Sequence, residues 1–290
     1  MMNSEQVILS KSDAERIRYI NSYKWVGYTL AKEVMNNFED LIELPRTSRM
    51  PSVMLMGESN NGKTVIIERF ANKYPQYFDD EKEEIKQKVL MVEAPPYPDE
   101  KRFFQQILRK LLVPFRSNHK PEVLFDQVLN VFQKIELKVL IIDEIHHLLA
   151  GNSTKRQQFL NSIKSLSNQL SISIIAVGTK DAFHVFQSDP QISSRFDNLI
   201  LTRWHLDREY LKFLLSYQKL LPLKKEYSLV EKDIASKILS LTNGNIGEIT
   251  KILKKSAIEA INSGDEKITL DLIKRLNFTH PDKKRLMPQL

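Results

Sequence analysis

Residues 57–64 read Gly57-Glu58-Ser59-Asn60-Asn61-Gly62-Lys63-Thr64, a complete G-x-x-x-x-G-K-[ST] spacing. The chemistry of this pattern is the grip of a polyphosphate. Backbone N–H groups of such a loop can wrap phosphate oxygens, and the N-terminus of the helix that follows faces their negative charge. The Lys63 amine would reach the β- and γ-phosphates of ATP, and the Thr64 hydroxyl would be offered to Mg2+. The nucleotide-binding stretch runs from Gly57 through Val65. A second constellation is Val139-Leu140-Ile141-Ile142-Asp143-Glu144. Asp143 is placed to hold the metal's water shell, and Glu144 to polarise a water for attack on the γ-phosphate. Successive strand residues point to opposite faces, so adjacent carboxylates can take different tasks. An apolar run ending in Asp-Glu is, alone, often a strand entering a solvated turn. Beside the loop at 57–64 it supplies the other half of a nucleotide site.

These residues need a scaffold of strands and helices. Val53-Met54-Leu55-Met56 suits a buried strand before the loop, and Val65-Ile66-Ile67-Glu68-Arg69-Phe70 a helix after it. Further strands are expected at 89–92, 139–142, 172–179 and 199–201, and further helices at 99–112, 121–135 and 153–170. Strands alternating with helices predict a parallel sheet in an α/β domain. After about residue 206 the pattern becomes all-helical, over 207–221, 229–241, 246–262 and 269–276. Residues 12 to about 44 also read as helical, with Ser12 or Asp13 as a cap and Gly27 as a break. The expected organisation is therefore an N-terminal helical segment over 1–45, a P-loop α/β core over 46–205, a helical lid over 206–278 and a tail over 279–290. The tail reads as disordered or partner-bound.

Composition narrows the class. A chain of 290 residues that is 42% hydrophobic can fill a real core. It has no cysteine, which excludes disulfides, thiolate metal sites and a cysteine nucleophile. No basic N-terminal region leads into a long apolar stretch, and no apolar run approaches a membrane span, so a cytoplasmic location is expected. The formal charge of +7 permits nucleic-acid binding without demanding it. His146 and His147 invite a metal reading, but neighbours on an α-helix diverge by about 100° and no acidic or cysteine partner stands at ligand spacing, so a supporting polar or packing role is expected of them.

The order of these features resembles the AAA+ ATPases: nucleotide loop, Asp-Glu strand, a strand ending in Gly178-Thr179, a Ser193-Ser194-Arg195-Phe196 segment and a helical C-terminal lid. Within that class the chain resembles the TniB/TnsC family, ATP-dependent regulators of DDE-type DNA transposons. The likeness rests on Arg49-Met50-Pro51 leading into the loop, Leu140 to Leu149, Val177-Gly178-Thr179, and Asp189-Pro190-Gln191-Ile192-Ser193-Ser194-Arg195-Phe196. A Trp25-x-x-Tyr28 segment adds to it. The resemblance implies an ATPase whose hydrolysis switches a ring or filament of identical chains on double-stranded DNA. It also implies a DDE transposase of the TniA/TnsB type and a TniQ-type target selector as partners. By the same resemblance Thr179 is a sensor beside the γ-phosphate, and Arg195 reaches a neighbouring copy's nucleotide; a plain strand-ending threonine and a surface arginine are the alternatives. The stretch Asn243-Gly244-Asn245-Ile246-Gly247-Glu248-Ile249 departs from the AAA+ pattern, in which an arginine often opens a lid helix. The 94–121 insertion carries Lys101, Arg102, Arg116 and Lys120 as candidate DNA contacts, with a solvated basic face as the alternative. Two other classes use the same loop, a small-molecule kinase and a protein-remodelling AAA+ machine. The Asp143-Glu144 pair and helical lid argue against the first, and the lack of an aromatic-glycine pore loop against the second.

Overall fold

The computed structural model describes residues 4–187 and 194–278; Ser193, residues 189–192 and the 279–290 tail lie outside them. The chain forms two compact units, one of residues 33–201 and one of residues 1–32 with 202–290.

The 33–201 unit is built on a five-stranded parallel sheet. Its strands are β1 (Ser52–Gly57), β4 (Val89–Glu93), β5 (Val139–Asp143), β6 (Ser173–Gly178) and β7 (Phe196–Leu201), in the order β4-β5-β6-β1-β7. β1, β5 and β6 are buried along their whole length. That burial is why their sequences are continuous apolar runs rather than alternating ones. The crossovers carry α4 (Lys63–Lys73), α5 (Glu100–Lys110), α6 (Pro121–Lys134), α7 (Ser153–Leu170) and α8 (Lys180–Gln187), preceded in the chain by α3 (Thr29–Glu43). Phe103, Phe104, Ile107 and Leu108 of α5 and Leu124, Val128 and Phe132 of α6 are buried in the same core as Leu90, Leu140 and Ile142 of the sheet. Asp99 caps α5, its side chain accepting from the N–H of Arg102, and Asn152 caps α7 in the same way.

A small antiparallel hairpin, β2 (Tyr77–Asp79) with β3 (Glu84–Lys86), adds to the strands expected from the sequence. Its strands are three residues long, below the length at which alternation can be read. Lys86 fixes it, with a buried amine 2.6 Å from Glu84 and donating to the Lys134 carbonyl at 2.9 Å. Among the described residues no helix is long and apolar enough to cross a membrane.

The second unit joins both ends of the chain. It contains α1 (Ser4–Leu9), α2 (Asp13–Asn21), α9 (Arg208–Gln218), α10 (Lys232–Thr242), α11 (Ile246–Asn262) and α12 (Leu270–Arg275). Residues 1–32 of the expected N-terminal segment thus group with the C-terminal helices, and residues 33–45 with the sheet. Ser12 starts α2 through a reciprocal capping box with Glu15. Ile20 of α2 is buried in one core with Tyr210, Leu214, Ile238, Ile252 and Leu272. Arg16 is fully buried there. Its guanidinium donates to Glu266 at 2.5 and 2.8 Å, to Asp13 at 2.7 Å and to the Pro222 carbonyl at 2.9 Å.

Breaking this pair strands a shielded carboxylate, which costs about 3–5 kcal/mol where it has been measured. Arg16→Ala is therefore expected to lower the urea midpoint markedly, and Arg16→Met with Glu266→Leu to recover part of the loss. The Arg16 hydrogen bonds hold the Glu266 carboxyl below its ordinary range. Their contribution is present above the ordinary glutamate pKa and disappears as pH falls through the lower folded value. Equal stability of Arg16→Ala and wild type at neutral pH would refute this assignment.

Candidate nucleotide site

Parallel register brings the candidate residues to one edge of the sheet. Gly57 ends β1, Asp143 ends β5 and Gly178 ends β6, with Met56 opposite Gly178 and Ile142 opposite Ala176. In open α/β sheets this carboxyl edge is where ligands bind. The loop turns from β1 into α4 through Asn60 and Gly62, both in the left-handed region with φ of 61° and 83°. Asparagine tolerates that region and glycine enters it without penalty. Asn61 is buried, and its side-chain amide donates to the Leu201 carbonyl at 2.9 Å, tying the loop to the end of β7.

The Lys63 amine folds back over the loop, donating to the Gly57 carbonyl at 2.9 Å and the Glu58 carbonyl at 2.7 Å. Burial pushes its pKa down, opposed by the carboxylates of Glu144, Asp143 and Glu58. A partly desolvated ammonium held over a loop of this shape is suited to phosphate oxygens. The Thr64 hydroxyl donates to Asp143 at 3.2 Å, long for such a bond. Thr64 and Asp143 are hard oxygen donors at close range, the donor type that Mg2+ takes alongside phosphate and water. The Asp143 pKa is raised, first by burial and then by neighbouring Glu144.

Glu144 follows β5 with φ 54° and ψ 34°, and its N–H donates to Asp143 Oδ1 at 2.8 Å. A non-glycine residue in this conformation stores strain that the surrounding structure must hold. The chain then enters a 3₁₀ turn, Ile145–Ala150. Gly178 makes room for it, because a Cβ there would lie 2.8 Å from Ile145 Cγ2. The turn brings His146 Nδ1 within 2.9 Å of Glu144 Oε2 and places the His146 and His147 rings 4.9 Å apart. His147 Nδ1 lies 3.1 Å from the Ala94 carbonyl and so carries the proton. α-Helical spacing does not anticipate this association, because a 3₁₀ turn has a different pitch. Donor atoms of Glu144, His146 and His147 fall within 4.8 Å of one another, looser than the spacing of about 3.4 Å that a tetrahedral zinc ion imposes.

The other candidates lie apart from this cluster. Thr179 is half-buried, one residue past Gly178 at the same edge. Arg195 is at the opposite end: its carbonyl accepts from the N–H of Ser52, the first residue of β1, and its guanidinium donates to Asn168 at 2.5 Å. Five strand steps of about 3.3 Å separate that end from Gly57. Arg195 therefore does not line the nucleotide loop of its own chain. Lys101 is half-buried on α5, and Arg102 is engaged by Asp99 at 3.6 Å and by the Tyr97 ring at 4.8 Å. Arg116 and Lys120 are exposed in the α5–α6 connection. Arg109 and Lys110, not singled out in the sequence, are exposed in the last turn of α5 just before it. Asn245, where an arginine was missing from the lid pattern, caps α11 by accepting from the N–H groups of Gly247 and Glu248.

Solved structures share this architecture. The ORC1 protein of Aeropyrum pernix in complex with DNA is 14% identical, covering 89% of this chain and 67% of that one with a TM-score of 0.62. The ORC2 protein of Aeropyrum pernix in ADPNP-ADP complexes is 15% identical, with coverages of 89% and 70% and a TM-score of 0.61. Cdc6p from Pyrobaculum aerophilum is 17% identical, with coverages of 86% and 67% and a TM-score of 0.58. At these identities the likeness establishes the fold. Sheet order, phosphate loop and the Asp143-Glu144 strand end together define an ATPase of the AAA+ class. No curated protein matches the chain. The family model described as "Bacterial TniB protein" matches residues 16–206, and the chain belongs to the TniB family.

The buried Asp143 carboxylate carries a testable cost. In Asp143→Asn the amide oxygen can still accept from the Glu144 N–H, and the amide nitrogen can donate to Thr64, whose hydroxyl also accepts. Removing the buried charge is expected to raise the melting midpoint without nucleotide and to shrink the further rise on adding Mg-ATP. A thermal shift series checks both. A lower midpoint in Asp143→Asn would show that the charge is not a burden in the folded protein.

Proposed function

We propose that this TniB-family ATPase regulates DNA transposition by assembling on target DNA in its ATP-bound form and engaging the transposase. The observation that carries the nucleotide part is the convergence of Lys63, Thr64, Asp143 and Glu144 on one sheet edge. Lys63 and the loop from Gly57 to Val65 hold the triphosphate. Thr64 and Asp143 hold Mg2+, which when bound neutralises charge on the β- and γ-phosphates. Glu144 polarises the attacking water, and Thr179 orients it from the adjacent strand end. Arg195 sits too far from its own loop for phosphate contact, which supports a role at a neighbouring copy's nucleotide in a ring or filament of identical chains. A nucleotide shared in this way makes assembly depend on ATP.

The DNA part rests on charge. Arg109, Lys110, Arg116 and Lys120 are exposed in one continuous stretch at the end of α5 and into the α5–α6 connection, on a chain of net charge +7. Such a stretch suits the phosphate backbone of double-stranded DNA and carries no base information. A protein of the same fold, ORC1, was determined in complex with DNA. A DDE transposase of the TniA/TnsB type and a TniQ-type selector are the protein partners that membership of the TniB family suggests, in a cytoplasmic setting.

Lys63→Ala is expected to abolish fluorescent-ATP binding while circular dichroism stays native. Glu144→Gln is expected to bind ATP, hydrolyse it slowly and form longer-lived DNA complexes. Wild-type affinity in folded Lys63→Ala, or wild-type turnover in Glu144→Gln, would remove these assignments.

DNA binding is expected to weaken steeply with salt and to vary little with sequence. Each true phosphate contact contributes about 0.9 to the slope of log affinity against log salt. Because Lys101 is half-buried and Arg102 is engaged by Asp99 and Tyr97, Arg116→Ala with Lys120→Ala should flatten the slope more than Lys101→Ala with Arg102→Ala. An unchanged slope in a variant with Arg109, Lys110, Arg116 and Lys120 all replaced by alanine would place the DNA face elsewhere.

A further inference from the structure

His146 stands beside Glu144 and is not used by the nucleotide site. Its Nδ1 is shielded from solvent and lies 2.9 Å from Glu144 Oε2. The approach is oblique, so the contact is close without being an aligned hydrogen bond. Three features hold the imidazole in place. The 3₁₀ turn fixes its backbone, Gly178 leaves space for that turn, and the His147 ring packs 4.9 Å away while itself tethered to the Ala94 carbonyl. On the other side, the strained backbone of Glu144 is pinned by Asp143 through the 2.8 Å bond to its N–H.

The two side chains are 33% and 41% exposed. At that exposure an ion pair adds little to folding stability. An arrangement held by this much surrounding structure yet contributing little stability has its value in geometry. We propose that His146 is a positioning residue, orienting the Glu144 carboxylate toward the water it polarises. The proposal rests on the reading of Glu144 as the group that activates water. Its chemical logic is that of any base whose orientation is set by a third group: a carboxylate free to rotate spends most of its time misaligned, and a fixed partner removes that loss.

The test is steady-state ATP hydrolysis by the full chain with Mg-ATP, for wild type, His146→Ala, His146→Asn, Glu144→Gln and the His146→Ala/Glu144→Gln double variant. Asparagine places an amide N–H near the Nδ1 position. His146→Ala is expected to lower kcat about tenfold while KM for ATP and the melting midpoint stay near wild type, as the loss of orientation alone predicts. His146→Asn is expected to restore most of the rate. The double variant is expected to be no slower than Glu144→Gln, because the histidine acts only through that carboxylate. Unchanged or raised kcat in His146→Ala would overturn the proposal, as would His146→Asn behaving like His146→Ala. So would a double variant well below Glu144→Gln. Wild-type turnover in Glu144→Gln would instead overturn the underlying reading of Glu144, a result distinguishable from the others.

Discussion

Parallel pairing of β1, β5 and β6 is the constraint on which the nucleotide site depends. In a parallel ladder the strands run the same way, so their carboxyl ends meet along one edge. Residues 57, 143 and 178, far apart in the chain, are forced into proximity by the register Met56–Gly178 and Ile142–Ala176. Continuous burial of those strands protects the register, since a slip would disturb packing on both faces. The same parallelism puts the amino ends together at the other edge, which is where Ser52 and Arg195 meet. One sheet therefore sets the phosphate-loop glycine and Asp143 at one edge and Ser52 with Arg195 at the other.

At the working edge, burial sets two charges against their ordinary values. It lowers the Lys63 pKa and raises that of Asp143. Each charged form is short of hydration, and the contacts present here compensate only in part: two loop carbonyls for the amine, a long hydroxyl bond and one N–H for the carboxylate. Phosphate oxygens and a divalent cation would meet both needs together. Sites of this kind commonly sacrifice some resting stability for function.

The phosphate loop and the Asp143-Glu144 strand were legible because their chemistry is local: spacing, glycine and an apolar run determine them. α5, α6, α7 and α11 were legible for the same reason, their caps and periodicity lying within one segment. Three things were not. The hairpin of β2 and β3 is too short for its pattern to register. The meeting of Glu144 with His146 depends on a 3₁₀ turn, which is accommodated by a missing side chain at position 178, over thirty residues away. The grouping of residues 1–32 with the C-terminal helices involves Ile20 entering their apolar core and Arg16 meeting Glu266 across 250 positions. Arg16 in isolation reads as an ordinary exposed helix arginine.

That last contact has a consequence for how the molecule is made. At translation rates of about 5–20 residues per second, Arg16 is synthesised roughly 12–50 s before Glu266. The 33–201 unit is contiguous and can collapse on its own during that interval. Helix α2 cannot finish folding, because Tyr210, Ile252 and Leu272, which share its core, have not yet been synthesised. Through that interval the nascent chain therefore carries a segment whose Arg16 has Asp13 but not Glu266 as a partner, and whose Ile20 has no core to enter. Its apolar flank is covered only when those later helices emerge.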